Sequence, residues 1–346
     1  MAKLLVTGGA GFIGSHTCIA LLEAGHEITI IDDFSNSSEL ALKRVQDISL
    51  KSLEYIKGDI CDNYFLDQVF SIASKQGAPF EGVIHFAGLK SVGESVNNPL
   101  KYWNVNVCGS YSLLSAMSNN NCNTLVFSSS ATLYGDPVEV PIKETAPIKP
   151  INPYGYTKAA VEQMLTDLFD SNSQLWRIAC LRYFNPVGAH PSGLIGENPL
   201  GTPNNLFPYI SQVAIGRRNS VSVFGGDWPT PDGTGIRDYI HVMDLAEGHV
   251  ETLNYLLNDK PQLVTLNLGS GSGYSVLQLI KEFEIASGNS IPYEIVEKRN
   301  GDAAITIADP TLAADKIGWR CVRDITDICR DGWSWQSKNP DGYKNT

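Results

Sequence analysis

The sequence predicts an α/β protein in which a doubly wound parallel sheet is followed by a smaller α/β lobe. Its 346 residues suffice for about two domains at roughly 150 residues each. From residue 3 to residue 183, short apolar runs alternate with longer segments of helical period. The alternation ends at Asn185–Pro208, where five prolines alternate with four glycines. We therefore predict two domains, residues 1–184 and 185–346.

The first domain is predicted from apolar runs that are separated by segments long enough for crossover helices. Connections of that length favour parallel strands with helices on both faces of the sheet. The first helix is expected at Phe12–Ala24. The expected strands are Lys3–Thr7, Glu27–Asp32, Leu53–Lys57, Val83–Phe86, Thr124–Ser129 and Trp176–Tyr183.

The second region has shorter and more mixed elements. We expect some of them to return to the first sheet and the rest to form the smaller lobe. The expected elements are a strand near Gly235–His241, a helix at Met243–Leu257, a strand at Val264–Leu268, and helices near Val276–Ala286 and Asp324–Trp335.

Composition excludes several classes of partner. Lys plus Arg number 26 and Asp plus Glu number 37, which leaves a net charge of −11. Such a protein repels phosphate backbones and anionic membranes, so we expect neither nucleic acid nor membrane as a partner. The first apolar run is too short for a signal peptide, and no run approaches the ~18 residues needed to span a bilayer. The sequence thus predicts a cytoplasmic protein.

The seven cysteines form no CxxC pair and mostly lie in apolar stretches. That usage is typical of reduced cysteines in a core. We therefore expect no disulfide and no metal site.

A glycine-rich turn follows the first strand. Residues 7–14 read TGGAGFIG, so Gly8, Gly11 and Gly14 allow the backbone to approach a pyrophosphate at a helix N-terminus. The second strand ends at Asp32, where a carboxylate can bind ribose hydroxyls and repel a 2′-phosphate. This pattern favours NAD over NADP. Taken alone, the glycine motif also fits an ordinary glycine-rich turn, and Asp32 with Asp33 also fits a surface acidic pair that caps a turn.

Tyr154 and Lys158 are four residues apart in the segment YGYTK. On a helix they share one face, about 6 Å apart along the axis. At an effective dielectric near 20, the ammonium should lower the phenol pKa by roughly two units from ~10. A bound nicotinamide cation would add to that shift, so Tyr154 becomes a candidate general acid and base. The same spacing also occurs in solvated helix pairs.

Three serines end the strand that precedes this helix. Strand ends are where doubly wound sheets bind ligands, and Ser130 is the best placed to bond a substrate oxygen and pass its proton to Tyr154. The alternative is that these hydroxyls only cap the following turn.

Together these features resemble the extended short-chain dehydrogenase/reductases. Longer strings resemble the UDP-hexose 4-epimerases of that family: HFAGLK at 85–90, VGES at 92–95, SSSATLYG at 128–135, RYFNPVGAHP at 182–191 and GIRDYIHV at 235–242. The likeness extends from residue 3 to Trp333–Gln336. Such long strings are far more specific than a glycine motif alone.

The resemblance implies roles for individual residues. Tyr154, Lys158 and Ser130 would be catalytic. NAD would contact Gly8, Gly11, Phe12, Ile13, Gly14, Asp32, Asn36, Asp59, Ile60, Phe86, Ala87, Lys90, Asn106, Tyr154, Lys158 and Phe184. The UDP-sugar would contact Ser130, Asn185, Asn205, Leu206, Phe224, Arg237, Arg299, Asp302 and Thr306.

The implied activity is NAD-dependent 4-epimerisation of UDP-galactose and UDP-glucose. Tyr154 would remove the 4-hydroxyl proton while C4 hydride passes to NAD, which gives a transient 4-keto sugar and NADH. The keto sugar would then turn in the pocket and take the hydride back on its other face. Family members also pair into homodimers through helices that match Asn97–Asn119 and Pro153–Asp170.

Thr306 stands where many family members restricted to plain hexoses have a tyrosine. The smaller side chain would enlarge the space beside the sugar's 2-position. This favours UDP-GalNAc and UDP-GlcNAc as additional or even main substrates. The alternative is that threonine is a tolerated strand residue and another side chain fills the gap.

Two other functions fit the same fold less well. A nucleotide-sugar 4,6-dehydratase needs an acidic pair after the strand-end hydroxyl, and this chain has Ala131 and Thr132 there. A non-catalytic NAD-binding regulator on the same fold is disfavoured because Ser130, Tyr154 and Lys158 are all present.

Overall fold

The computed structural model describes residues 1–201, 203, 205–299 and 302–344. Its strands are β1 (Lys3–Thr7), β2 (Glu27–Asp32), β3 (Glu54–Lys57), β4 (Gly82–His85), β5 (Thr124–Ser130), β6 (Arg177–Tyr183), β7 (Asn185–Val187), β8 (Val221–Phe224), β9 (Ile236–Arg237), β10 (Tyr239–His241), β11 (Gln262–Leu268), β12 (Tyr274–Ser275), β13 (Tyr293–Val296) and β14 (Ile305–Thr306). Its α-helices are α1 (Phe12–Glu23), α2 (Glu39–Ser49), α3 (Asn63–Lys75), α4 (Val92–Asn97), α5 (Pro99–Tyr102), α6 (Gly109–Asn119), α7 (Pro153–Ser171), α8 (Leu206–Ala214), α9 (Val242–Asn258), α10 (Val276–Ser287), α11 (Thr311–Ile317) and α12 (Ile325–Lys338). A π-helical turn covers Trp103–Cys108, and a 3-10 turn covers Ala131–Tyr134.

Seven parallel strands form the central sheet, in the order β11-β6-β5-β4-β1-β2-β3. This confirms the predicted doubly wound α/β fold. The chain runs from β1 outward to β3 and then crosses back to place β4 on the other side of β1. Ligands of such sheets bind in the crevice at the carboxyl ends of the strands, where the order reverses.

Helices cover both faces of the sheet because each buried strand sends alternate apolar side chains to opposite sides. Leu4 and Ile30 pack on one side with α1, α2 and α9. Leu5 and Ile31 pack on the other side with α3, α6 and α7. The sheet is therefore a rigid support for the loops at its carboxyl edge.

A separate apolar core forms among α8, α10 and α12, where Phe207, Phe283 and Ile328 are buried together. The short strands β8 and β13 pair beside this core. β11 pairs with β6 along its whole length and so belongs to the central sheet. The division between residues 184 and 185 stays a prediction.

The segment Gly235–His241, predicted as one strand, is two strands in the structure. β9 pairs with β12 and β14, whereas β10 pairs with β7. Between them, the buried Asp238 carboxylate accepts hydrogen bonds from the backbone amides of Ser270, Gly271 and Ala308 at 2.7–3.0 Å. The carboxylate thus fixes a switch of pairing partner that periodicity does not reveal.

Candidate active site

The loop after β1 brings the start of α1 close to the sheet. Gly8 has a φ of +70°, and a Cβ there would lie 2.6 Å from the amide nitrogen of Ala87. A Cβ on Gly14 would lie 2.3 Å from the Gly8 carbonyl oxygen. Both positions therefore require glycine.

The first turn of α1 is suited to an anion. Gly11 is the N-cap and provides no side-chain cap, and the first turn contains no acidic residue. Gly11, Phe12 and Ile13 are all partly exposed. The Gly11 amide donates to the Gly8 carbonyl at 3.2 Å, so the amides of Phe12 and Ile13, together with the helix dipole, favour a phosphate group at this point.

The carboxylate of Asp32, at the end of β2, accepts hydrogen bonds from neighbouring loops. One carboxylate oxygen accepts a hydrogen bond from the Ala10 amide at 2.9 Å. The other accepts from the Phe34 amide at 2.9 Å and from the Ser37 hydroxyl at 2.7 Å. Asn36 is exposed in the same loop. Asp32 thus stabilises the glycine loop and places its carboxylate beside it.

The loop after β3 lies next to the end of β2, since the Gly58 amide donates to the backbone carbonyl oxygen of Asp32 at 3.1 Å. Asp59 is exposed and accepts a hydrogen bond from the Cys61 amide at 2.8 Å. Ile60 is buried. The structure therefore brings Asp59 close to the predicted cofactor residues of β2.

The loop after β4 is held by Asn106 from the π-helical turn. The Asn106 amide accepts from the Leu89 amide at 2.8 Å and donates to the Leu89 carbonyl at 3.0 Å. It also donates to the Thr157 hydroxyl at 3.0 Å. Phe86 and Ala87 are partly buried in this loop. Asn106 therefore ties the loop to α7.

Lys90 connects this loop to the second lobe. Its ammonium lies 2.7 Å from the carboxylate of Glu197, which also accepts from the Asn205 side chain at 3.2 Å. The Glu197 side chain is mostly buried, whereas Asn205 is exposed. The ion pair links a predicted cofactor residue to a predicted substrate residue.

Ser130, Tyr154 and Lys158 come together at the end of β5. Asn152 caps α7 by accepting from the Gly155 amide at 2.9 Å, which places Tyr154 in the first turn. Ser130 also caps a turn, because its hydroxyl accepts from the Thr132 amide at 3.2 Å. Ser130 therefore caps this turn and also lies next to Tyr154.

The pKa of Tyr154 is raised, whereas the spacing of Tyr154 and Lys158 predicts a lowered value. Burial raises the pKa of the phenol, and the hydrogen bond with Ser130 lowers it less strongly. The Lys158 ammonium instead donates to the Ser128 carbonyl oxygen at 2.7 Å. The spacing along the helix correctly predicts that Tyr154 and Lys158 share a face, but desolvation determines the direction of the Tyr154 pKa shift.

Phe184 and Asn185 follow β6 at the same edge. Phe184 is buried, and its amide donates to the Leu268 carbonyl at 3.3 Å. The Asn185 amide donates to the Asp238 carbonyl at 3.0 Å. The two residues therefore lie where the central sheet meets the second lobe.

Apart from Ser130 and Asn185, the predicted substrate residues fall into three groups. Asn205 and Leu206 begin α8. Phe224 ends β8, and the Arg299 guanidinium lies 3.6 Å from the centre of its ring. The Asp302 amide donates to the Arg299 carbonyl at 3.3 Å, and both residues are exposed.

Arg237 and Thr306 form the third group. They are register partners on the parallel strands β9 and β14, and both are partly buried. The Asp238 amide donates to the Thr306 carbonyl at 2.9 Å. A cation and a short hydroxyl side chain therefore occupy neighbouring positions on one small sheet.

The sequence reasoning missed two polar residues near the site. Glu162 lies beyond Lys158 on α7, and its position at i+4 was a usable signal. Glu197 lies in the proline- and glycine-rich segment, and no spacing connects it with Lys90. All seven cysteines are free. Within the described ranges, no cluster of three metal-ligating side chains and no helix capable of crossing a membrane is found.

The fold and the site together define a Rossmann-type dinucleotide-binding protein. The sequence profile of the NAD dependent epimerase/dehydratase family matches residues 4–269. The chain therefore belongs to that family.

Individual relatives agree over the full chain. A UDP-glucose 4-epimerase of Dictyostelium discoideum is 52% identical over 344 residues, which cover 99% of this chain and 98% of the relative. The structure is similar to a Stenotrophomonas maltophila UDP-glucose 4-epimerase with bound NAD and formylated UDP-arabinopyranose (TM-score 0.94, 47% identity, 98% and 99% of the two chains covered). It is also similar to a Bifidobacterium longum UDP-glucose 4-epimerase in complex with NAD+ and UDP (TM-score 0.93, 46% identity, 99% and 100% covered).

Proposed function

We propose that this protein is an enzyme that interconverts UDP-galactose and UDP-glucose, with NAD as its cofactor. The observation that carries the proposal is the position of Ser130, Tyr154 and Lys158 at the carboxyl edge of the sheet that also carries the glycine loop. Full-length similarity to UDP-glucose 4-epimerases supports the choice of reaction.

The residues present fit NAD. No side chain caps the start of α1, so the amides of Phe12 and Ile13 can bind a pyrophosphate, and the closeness of Gly8 and Gly14 to other backbone leaves no room for side chains. Asp32 places a carboxylate where a 2′-phosphate would be repelled. When bound, NAD supplies the reversible two-electron oxidant that the sugar's C4 requires.

Residues of the chain transfer the proton of the sugar's 4-hydroxyl group. In its ionised form, Tyr154 takes the proton from the sugar's 4-hydroxyl oxygen and later returns it, while Ser130 donates a hydrogen bond to that oxygen. Lys158, charged and buried, favours the ionised phenol. Because burial raises the pKa of Tyr154, the chain needs this cation and the positive charge of the bound cofactor to ionise the phenol near neutral pH.

Arg237 and Arg299 supply positive charge for a diphosphate within an acidic protein. Leu206 and Asn205 at the start of α8 and Phe224 at the end of β8 complete the proposed nucleotide side, together with Asp302. This grip would hold the UDP end and leave the sugar free to turn.

The test is turnover by purified protein with UDP-galactose and no added nicotinamide, followed by chromatographic or NMR detection of both C4 epimers. UDP-glucose should appear, because NAD stays bound through the cycle. Absence of product even after NAD is added contradicts the proposal.

A wider substrate range is supported by Thr306. Its short side chain stands beside Arg237 on the small sheet, where a larger residue would reduce the available volume. We propose that UDP-GalNAc and UDP-GlcNAc are also interconverted. The test adds UDP-GalNAc in equimolar amount to the same assay, and formation of UDP-glucose alone contradicts the wider range.

A homodimer is supported by apolar side chains exposed on α4–α7. Val96, Leu100, Tyr111 and Tyr156 are 61%, 81%, 62% and 51% exposed. A cluster of this kind is typical of a protein interface. Sedimentation should give twice the 37.7 kDa chain mass, and a monomer at micromolar concentration contradicts the proposal.

A further inference from the structure

The carboxylate of Asp238 lies directly after Arg237 and is fully buried. One of its oxygens accepts hydrogen bonds from the amide and the hydroxyl of Ser270, at 2.7 Å and 2.6 Å. The other accepts from the amides of Gly271 and Ala308, both at 3.0 Å. Because both oxygens face N–H donors, the ionised carboxylate is the form that fits this place. Three segments that are distant in sequence therefore meet at one buried anion.

Asp238 also holds β14 at two points. Its backbone amide donates to the Thr306 carbonyl oxygen at 2.9 Å, and its carboxylate accepts from the Ala308 amide two residues further on. Thr306 and Arg237 are register partners on β14 and β9. With both bonds in place, β14 cannot slide along β9, so Asp238 fixes the relative position of these two residues.

The Arg237 guanidinium rests on the same pair of strands. It donates to the Ile236 carbonyl oxygen at 2.9 Å and lies 3.5 Å from the Ala304 carbonyl oxygen. The Ile236 amide in turn donates to the Ala304 carbonyl at 2.9 Å. Carbonyl groups orient a guanidinium without neutralising it, and the ion pairs among the described residues do not include Arg237. Its charge therefore stays available to a diphosphate.

We infer that Asp238 is a positioning residue for substrate binding, which fixes β9 against β14 and so sets the place of the Arg237 cation and of the Thr306 side chain. The inference rests on the proposed function, which assigns Arg237 and Thr306 to the UDP-sugar. Asp238 has no exposed surface of its own. It acts on the ligand only through these two residues.

The first test is Asp238→Asn, which keeps the size of the side chain but turns one acceptor oxygen into an NH2 donor that faces N–H groups. KM for UDP-galactose and the Kd of UDP, measured by calorimetry, should both rise roughly 10-fold, because the Arg237 cation loses its alignment with the diphosphate. The value of kcat should stay near native, since Ser130, Tyr154 and Lys158 are unchanged. Native KM and native UDP binding in a folded variant overturn the inference.

Asp244→Asn is the matched control for a loss of stability alone. Asp244 is also fully buried, accepts from the amides of Val322 and Arg323 at 3.3 Å and 2.9 Å, and pairs with the Arg323 guanidinium. These contacts do not involve β9 or β14. The variant should lower the free energy of unfolding and leave KM and UDP binding unchanged. An equal rise of KM in both variants overturns the inference, because loss of stability would then explain the effect.

Ser270→Ala covers the case in which Asp238→Asn does not fold. It removes only the hydroxyl bond to the Asp238 carboxylate and keeps the amide bond, so KM should rise about 2- to 3-fold with kcat unchanged. A ligand-free measurement is 15N relaxation of the Arg237 side-chain Nε–H group, assigned with Arg237→Lys. This group should become more mobile in the Asp238 and Ser270 variants but not in Asp244→Asn, and unchanged mobility overturns the inference. If the native protein makes no epimer, the proposed function fails, whereas the Arg237 mobility still decides the role of Asp238.

Discussion

The proposed site has a cofactor side and a nucleotide side, and the two are built differently. On the cofactor side, Asp32 and Asn106 are buried and already bonded to their own chain, since Asp32 accepts three hydrogen bonds and Asn106 makes three. On the nucleotide side, Asn205, Arg299 and Asp302 are exposed. The first side is preformed, whereas the second presents solvated side chains to an arriving ligand.

This difference matches the proposed cycle. A cofactor that stays bound needs a rigid site, since a preformed site loses little entropy when it is occupied. A sugar nucleotide that enters, turns and leaves needs a site that closes around the diphosphate and remains loose at the sugar. The catalytic pair belongs to the rigid side, so the reacting sugar is presented to fixed groups.

The largest expected effect comes from Tyr154→Phe. It removes the acid–base hydroxyl from the rigid side while the ring keeps its packing. Turnover should fall by about 10³-fold, within the range of general acid–base catalysis. The free energy of unfolding should match that of the native protein. The amount of bound NAD, measured after its release with acid, should match as well. Loss of NAD in this variant would mean that Tyr154 holds the cofactor site together.

Gly8→Ala should damage the cofactor side as a whole. The positive φ alone costs roughly 1–2 kcal/mol for a residue with a Cβ. The new Cβ would also lie 2.6 Å from the Ala87 amide nitrogen. The free energy of unfolding, measured in urea, should fall by more than this strain cost, with loss of bound NAD.

A matched control exists for this variant. Gly25 has a φ of +88°, but nothing lies within 4 Å of a Cβ there. Gly25→Ala should therefore show the strain alone and keep NAD. Equal destabilisation by the two variants would indicate that the close approach of Gly8 to the loop after β4 does not affect stability.

The sequence predicted β1 and β2 to the residue, because each is a short run of mostly aliphatic and β-branched residues that begins and ends at polar positions. It also predicted which residues of α7 share a face. It failed where distant segments decide the outcome: the Asp238 carboxylate divides one predicted strand into β9 and β10, and Glu197 meets Lys90 across 107 residues. The predicted direction of the Tyr154 pKa shift was wrong for the same reason, since burial is a property of the assembled fold.

Arg299→Ala should affect only the nucleotide side. One charge-assisted hydrogen bond to a phosphate is worth about 1.5–3 kcal/mol, so KM for UDP-galactose should rise roughly 10- to 150-fold. Bound NAD and the rate at saturating substrate should stay near native values. Lys281→Ala, an exposed cation on α10, is the control for net charge and should leave KM unchanged. A fall in NAD content with Arg299→Ala would contradict the separation of the two sides.

The smallest effect on the hexose reaction is expected for Thr306→Tyr, which tests how loose the sugar end is. Thr306 is partly buried on β14 opposite Arg237, so a phenol ring there would take up space beside the sugar rather than remove a contact. Turnover of UDP-galactose should persist while turnover of UDP-GalNAc is lost, because only the acetamido group needs the extra volume. Thr306→Ser keeps the small size and should retain both activities. Equal loss of both activities with tyrosine would show that residue 306 supports the site instead of limiting the size of the sugar.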